Sequence, residues 1–108
     1  MYCQTVVFPP IPTGGFVGAA AKFFCEVDFQ GETEYMEWLY GSDTIYYYKD
    51  GNEAYPDGRG QYEANREGNL FNLTIKHLKL SNAGRYGCKV LGRTGPVSRY
   101  AELIVHGE

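Results

Sequence analysis

The sequence lacks the residue patterns on which most enzymes and metal sites depend. Its 108 residues include only two histidines, His77 and His106, and neither belongs to a cluster with metal-ligand spacing. No Gly-x-Ser-x-Gly elbow and no phosphate-binding loop is present. The scattered carboxylates fit a solvated sheet face better than a catalytic pair. We therefore expect a protein that is not an enzyme and that uses no cofactor and no metal.

The sequence also lacks a basic excess, a long apolar run and, at its start, the pattern of a signal peptide. Ten basic and 13 acidic residues give a net charge of −3, which argues against nucleic-acid binding. No apolar run approaches the roughly 20 residues of a membrane span. The start has no basic region typical of a signal peptide. We expect Met1 to be an added start, and residues 1–108 to be one domain from a larger extracellular protein.

Sustained helical periodicity is missing, whereas glycine and tyrosine are abundant. With 14 glycines and 10 tyrosines, the composition favours an all-β chain of short strands and turns. One stretch carries the clearest pattern: Leu73 and Ile75 alternate with polar residues, as in a strand with one buried face. Residues 81–84 supply turn chemistry, and alternation resumes with Tyr86 and Cys88.

This stretch resembles the corner between strands E and F of an immunoglobulin domain. There, a tyrosine two residues before the second cysteine returns its hydroxyl to the upstream backbone. Upstream, Cys25 lies on an alternating strand, and Trp38 is the only tryptophan. The resemblance implies a Cys25–Cys88 disulfide packed against Trp38, with Tyr86, Leu73 and Ile75 in the core. Such a disulfide implies an oxidising, extracellular compartment.

The spacing between Trp38 and Cys88 favours the variable-type, or V-set, architecture. The 49 intervening residues leave room for two extra strands. Residues 44–49 followed by Asp50-Gly51 indicate strand C′ and a hairpin turn, and residues 52–55 indicate a weak strand C″. We therefore predict an immunoglobulin-like Greek-key sandwich of two antiparallel sheets, ordered A-B-E-D and A′-G-F-C-C′-C″.

Two features bear on the type of V-set domain. The resemblance places Arg59 in the structural core at the start of strand D, where the usual aspartate partner is replaced by Asn82. Residues 97–100 lack the Phe-Gly-x-Gly bulge of antigen receptors. The region of strands C and C′ is similar to butyrophilin-type and other non-rearranging V-set receptors, which implies a cell-surface or secreted recognition protein.

The aromatic residues predict a protein interface on the outer face of the G-F-C-C′ sheet. If Ile45 and Tyr47 point inward, their neighbours on C′ point outward. Gly87 would then let a partner approach the backbone. The alternative is a register shifted by one residue, which turns Tyr47 outward. The predicted partner-binding residues are Tyr35, Glu37, Leu39, Tyr46, Tyr48, Lys89, Leu91 and Tyr100.

The expected function is recognition by an immune-type or adhesion receptor. The partner is a protein, either a second copy, giving a homodimer, or another immunoglobulin-superfamily receptor. The alternative is a secreted innate recognition domain that binds carbohydrate or a microbial surface. Asn72-Leu73-Thr74 is the only glycosylation sequon, and it marks either a glycan on Asn72 or a chance tripeptide. Cys3 pairs outside this chain, bridges two chains or stays a free thiol.

Overall fold

Alternation of apolar and polar residues along the chain produces ten strands that pack as two layers. The computed structural model describes residues 5–30 and 33–107. A 3-10 turn over Leu80–Asn82 is the helical element in these residues. The strands are β1 (Val6–Phe8), β2 (Thr13–Phe16), β3 (Ala21–Val27), β4 (Tyr35–Tyr40), β5 (Asp43–Lys49), β6 (Asn52–Ala54), β7 (Tyr62–Glu67), β8 (Leu70–Ile75), β9 (Gly84–Gly92) and β10 (Gly95–His106).

The two sheets have the predicted strand orders. One sheet runs β1-β3-β8-β7, which corresponds to A-B-E-D, and the other runs β2-β10-β9-β4-β5-β6, which corresponds to A′-G-F-C-C′-C″. The predicted all-β immunoglobulin-like sandwich is confirmed. One detail differs, because β2 pairs with β10 in parallel. The prolines between β1 and β2 end one strand, and the chain then continues in the same direction along the other sheet.

The core forms where the two sheets face each other around the predicted disulfide. Cys25 on β3 and Cys88 on β9 are bonded, with their Cα atoms 6.5 Å apart. Trp38 on β4 is completely buried, as are Leu73 and Ile75 on β8. The alternation on β8 therefore directs every second side chain to the core, and the expected core role of these residues is confirmed.

The turn between β8 and β9 is fixed by tyrosine hydroxyl groups. The buried Tyr86 hydroxyl donates a hydrogen bond to the carbonyl of Asn82 at 2.8 Å. The hydroxyl of Tyr40 donates to the carbonyl of Ala83 at 2.7 Å. Both bonds satisfy backbone acceptors that the turn would otherwise leave unpaired. The predicted tyrosine corner is therefore present.

The expected core position of Arg59 is wrong. Its side chain is 58% exposed and forms an ion pair with Glu63 at 3.7 Å. Gln61, two residues further along, contacts the buried Asn82 instead. The chain turns at Gly60 before β7 begins at Tyr62. The residue that enters beneath the corner is therefore later in the sequence than the resemblance implied.

Candidate protein-binding face

The register of β5 differs from the prediction by one residue. Tyr46 and Tyr48 are 2% and 7% exposed and belong to the core, whereas Tyr47 is half-buried on the outer face. Their assignment as partner-binding residues is therefore wrong. Pairing shifts at the end of β4, where Trp38 lies opposite Tyr46 but Leu39 lies opposite Thr44.

A β-bulge explains this shift. It leaves Ile45 as an extra residue, and Ile45 and Tyr46 are both buried in succession. A bulge of this kind reverses which side chains face the core. The alternative register considered from the sequence, with Tyr47 outward, is the observed one.

The two buried tyrosines reach the edge of the core with their hydroxyl groups. The Tyr46 hydroxyl donates to Glu53 Oε1 at 2.6 Å, and the Tyr48 hydroxyl donates to Glu34 Oε1 at 3.0 Å. Burial, followed by the Glu53 carboxylate, raises the pKa of Tyr46. Both rings are therefore structural, with an apolar body in the core and a polar tip at its border.

Glu37 lies at the centre of the outer face and is only 7% exposed. Its carboxylate accepts a hydrogen bond from the Thr44 hydroxyl. Lys89, its neighbour on β9, places its ammonium group 3.8 Å from the other carboxylate oxygen. A buried carboxylate needs such partners, because desolvation penalises an isolated charge. The charges of Glu37 and Lys89 therefore largely offset each other at this point of the face.

Tyr35 and Tyr47 stack beside this charged pair, with their ring centroids 6.3 Å apart. Register places Tyr47 directly opposite Glu37 on the neighbouring strand. Burial, together with the Glu37 carboxylate, raises the pKa of Tyr35 to about 12. Tyr35 therefore remains neutral at physiological pH, and the stacked pair presents aromatic surface.

A second aromatic unit lies across the sheet on β9 and β10. The Tyr100 ring covers Gly87 so closely that a Cβ atom there would lie 2.5 Å from Tyr100 Cε1. The guanidinium of Arg85 lies 4.0 Å from the centroid of the same ring. Gly87 therefore makes room for Tyr100, and the expectation that it admits a partner is wrong. Leu39, paired with Gly87, is only 5% exposed and offers little contact surface.

Leu91 is half-buried on β9, two residues beyond Lys89 and therefore on the same face. The structure thus brings together five of the eight predicted residues and adds Tyr47. The preferred register excluded Tyr47 because it assumed strict alternation through the bulge. The apolar and aromatic succession Ile45-Tyr46 is compatible with both residues being buried, and it is the one signal in the sequence that could have indicated the bulge. We define the outer-face patch as Tyr35, Glu37, Tyr47, Lys89, Leu91 and Tyr100.

The sequon lies on the opposite sheet. Asn72 and Thr74 are half-buried on the outer side of β8, in the expected orientation. Phe24 on β3 and Asn65 on β7 flank Asn72 directly. The Asn72 Oδ1 atom is buried without a hydrogen-bond partner among the described residues. A glycan on Asn72 stays a prediction, and Cys3 lies outside the described residues.

A cleft of about 310 Å³ opens between β6 and β7. Arg66 lies at this cleft and places its guanidinium 4.5 Å from the Tyr48 ring centroid. In residues 5–30 and 33–107, no group of three or more His, Cys, Asp or Glu side chains could hold a metal ion. The same residues contain no helix that is long and apolar enough to cross a membrane.

Comparison with known proteins identifies the family of this chain and solved structures with a similar fold. Residues 9–105 match the immunoglobulin V-set domain family. The titin Z1Z2 domains, solved in complex with telethonin, align with a TM-score of 0.77 and 20% identity over 100% of this chain and 51% of theirs. This chain therefore spans about half the length of that one.

For two further structures, the alignment covers most of both chains. The titin M10 complex with obscurin-like 1 Ig aligns with a TM-score of 0.75 and 19% identity, over 95% of this chain and 93% of that one. The M1 domain of titin aligns with a TM-score of 0.69 and 24% identity, over 89% and 88%. At these identities the likeness concerns the fold alone.

Proposed function

Because this chain belongs to the immunoglobulin V-set family, which is typically non-catalytic, we propose that it recognises a protein partner through the outer-face patch. The observation that carries the proposal is the stacked pair of Tyr35 and Tyr47 beside the buried Glu37. Tyrosine is enriched in the centres of protein interfaces, where its rigid ring supplies contact area. The proposed function is therefore the binding of a protein partner.

The charges of the patch support a flat protein interface. Lys89 lies 3.8 Å from the Glu37 carboxylate, so the centre of the patch holds one positive and one negative group in mutual contact. Interface centres are depleted in free charges because each must lose its water. A partner that covers Tyr47 therefore meets an aromatic surface with little net charge to desolvate.

The similar structures add support at the level of the fold. Titin Z1Z2 was solved in complex with telethonin, and titin M10 in complex with obscurin-like 1 Ig. Domains of this fold therefore bind other proteins, including another immunoglobulin domain. For the present chain, the proposed partner is an immunoglobulin-superfamily receptor or a second copy.

The proposed setting is the cell surface or the extracellular space, in a non-rearranging receptor of butyrophilin type. The disulfide between Cys25 and Cys88 supports an oxidising compartment. The sequence of strands C and C′ supports the receptor type. Which ligand is recognised depends on the surface itself and not on the fold.

Binding screens test the proposal. The domain, made multivalent to amplify weak contacts, is applied to an array of receptor ectodomains that includes itself, and in parallel to a glycan array. We expect at least one ectodomain to bind, and the binding to be lost in Tyr47→Ala. Binding to glycans alone would overturn the proposal in favour of the carbohydrate-binding alternative.

A further inference from the structure

Strand β2 forms an exposed edge of its sheet, and its residues carry no charge. No charged side chain precedes Lys22 in the sequence. Exposed strand edges usually carry lysines or other charges, which discourage pairing with another chain. Here, Phe16 and Ile104 are 65% and 54% exposed on adjacent strands at the edge. Among the described residues, β2 is the terminal strand of its sheet.

The backbone groups of β2 divide between its two sides. The N–H of Val17 donates to the carbonyl of His106, so Val17 faces β10. Gly15, two residues earlier and paired with Val105, faces β10 as well. Alternate residues therefore direct their N–H and C=O groups to the free side. These are Gly14, Phe16 and, by the same alternation, Pro12.

The free groups of this edge do not form a complete ladder. Pro12 has no N–H to donate. The carbonyl of Phe16 already accepts a hydrogen bond from Ala19 at 3.0 Å. What remains is one donor and one acceptor on Gly14, one donor on Phe16 and one acceptor on Pro12. We call this set the β2 edge.

A second copy of the same edge satisfies this set completely. In an antiparallel pair centred on Gly14, the two Gly14 residues exchange both of their hydrogen bonds. Two positions further along, each Phe16 N–H lies opposite the partner's Pro12 carbonyl. No bond forms in the reverse direction, because Pro12 has no N–H to donate and the Phe16 carbonyl already accepts a hydrogen bond from Ala19. Four hydrogen bonds form, and no donor is left unpaired.

We propose that two copies of this chain associate through the β2 edge, as a two-fold antiparallel pair centred on Gly14. Self-pairing by one edge is isologous and closes as a dimer. The Phe16 ring of each copy covers the partner's Pro12, which buries apolar surface on both sides. The absence of charge favours a second copy as the occupant, because no like charges meet across the axis.

The proposed dimer interface lies far from the outer-face patch. Tyr47 on β5 is separated from β2 by β10, β9 and β4, which corresponds to about 19 Å across the sheet. The two surfaces are therefore distinct, and each can be removed without the other. The edge is short, so we expect a weak dimer, of the kind formed by interfaces below about 1,200 Å².

Sedimentation equilibrium over a concentration series, up to about 1 mM, tests the proposal in a Cys3→Ser background that excludes bridging through Cys3. We expect a monomer–dimer equilibrium. Phe16→Lys places a charge in the pair and should raise the dimer dissociation constant by about tenfold or more. Phe24→Lys is the matched control, because Phe24 is also exposed but lies on the other sheet. It should leave the dissociation constant unchanged.

Cross-linking tests the register. Opposed residues of a hydrogen-bonded pair have Cα atoms about 5.5 Å apart, which suits a disulfide. Gly14→Cys should therefore oxidise to a covalent dimer, whereas Phe24→Cys should not. A Cβ atom at position 14 would lie 3.2 Å from the Ile104 carbonyl, so circular dichroism confirms the fold of this variant.

Three results would overturn the proposal. The first is a monomer throughout the concentration series. The second is a dimer in which Phe16→Lys and Phe24→Lys act equally, or in which Gly14→Cys does not cross-link. The third is a dimer abolished by Tyr47→Ala, which would place self-association on the outer-face patch. That last result would support the proposed function while removing the β2 edge as an interface.

Discussion

Gln61 and Asn82 exchange two hydrogen bonds through their side-chain amides. Gln61 Nε2 donates to Asn82 Oδ1 at 3.0 Å, and Asn82 Nδ2 donates to Gln61 Oε1 at 3.3 Å. Gln61 Nε2 also lies 2.7 Å from the carbonyl of Lys76. This neutral pair ties β7 to the turn before β9. It occupies the place where the family resemblance implies an arginine–aspartate ion pair.

We expect Gln61→Ala to lower the free energy of unfolding by about 1–3 kcal/mol, because it leaves the Nδ2 donor of the buried Asn82 unpaired, while Asn82 Oδ1 still accepts from the Lys79 N–H. Arg59→Ala is the control, since its exposed ion pair with Glu63 contributes about 0–1 kcal/mol. Urea denaturation measures both. Equal losses in the two variants would mean that Arg59 supports the corner after all.

Tyr86→Phe should destabilise the domain by a similar amount, about 1–3 kcal/mol. The change removes the hydroxyl that donates to the Asn82 carbonyl at 2.8 Å, in a completely buried site. Thermal and urea denaturation give the magnitude. Tyr47→Phe, which alters a half-buried hydroxyl on the outer face, is the control and should have little effect. An unchanged stability in Tyr86→Phe would contradict the pinned corner.

The framework could be predicted from the sequence because its residues are fixed relative to one another. Cys25, Trp38, Tyr86 and Cys88 meet in one core, so their order and spacing carry the resemblance to an immunoglobulin domain. The strand orders are those that the resemblance to the V-set family implies, and the room between Trp38 and Cys88 favours its two extra strands.

The outer-face patch could be predicted only in part. Period-two alternation fails wherever a bulge adds a residue, and Ile45 is such a residue. The position of Arg59 failed for a related reason, since the turn at Gly60 decides which side chain enters beneath the corner. Both errors are shifts along the chain by one or two residues. Local sequence constrains such shifts weakly, whereas packing against the opposite sheet fixes them.

Removal of the disulfide by the double substitution Cys25→Ala and Cys88→Ala should cost about 4 kcal/mol, the loop-closure entropy for a separation of 63 residues. This is a large share of the stability of a small domain. Denaturant titration under non-reducing conditions measures the loss. Cys3→Ser should leave stability unchanged, and a large loss in that variant would contradict the assigned pairing.

The titration of Tyr35 tests the geometry of the patch. Its pKa in the folded state is about 12, above the ordinary value of 10.0, because of burial first and the Glu37 carboxylate second. The contribution of neutral Tyr35 to the free energy of unfolding is therefore complete below pH 10 and is lost as the pH rises through 12.

The ¹³C chemical shift of the Tyr35 Cζ atom follows this titration, with Tyr35→Phe identifying the signal. Glu37→Gln should lower the pKa of Tyr35 part of the way towards its ordinary value, since burial remains. A Tyr35 that titrates near 10 in the unaltered protein would contradict the packing beside Glu37.

The most direct test of the central claim is the affinity of Tyr47→Ala for a partner ectodomain identified by the screen, measured by surface plasmon resonance. Loss of an interface anchor of about 2 kcal/mol predicts a roughly thirtyfold weaker affinity, with a nearly unchanged melting temperature. Thr74→Ala, on the opposite sheet, should bind normally. Unchanged affinity in Tyr47→Ala, or an equal loss in Thr74→Ala, would contradict recognition through the outer-face patch.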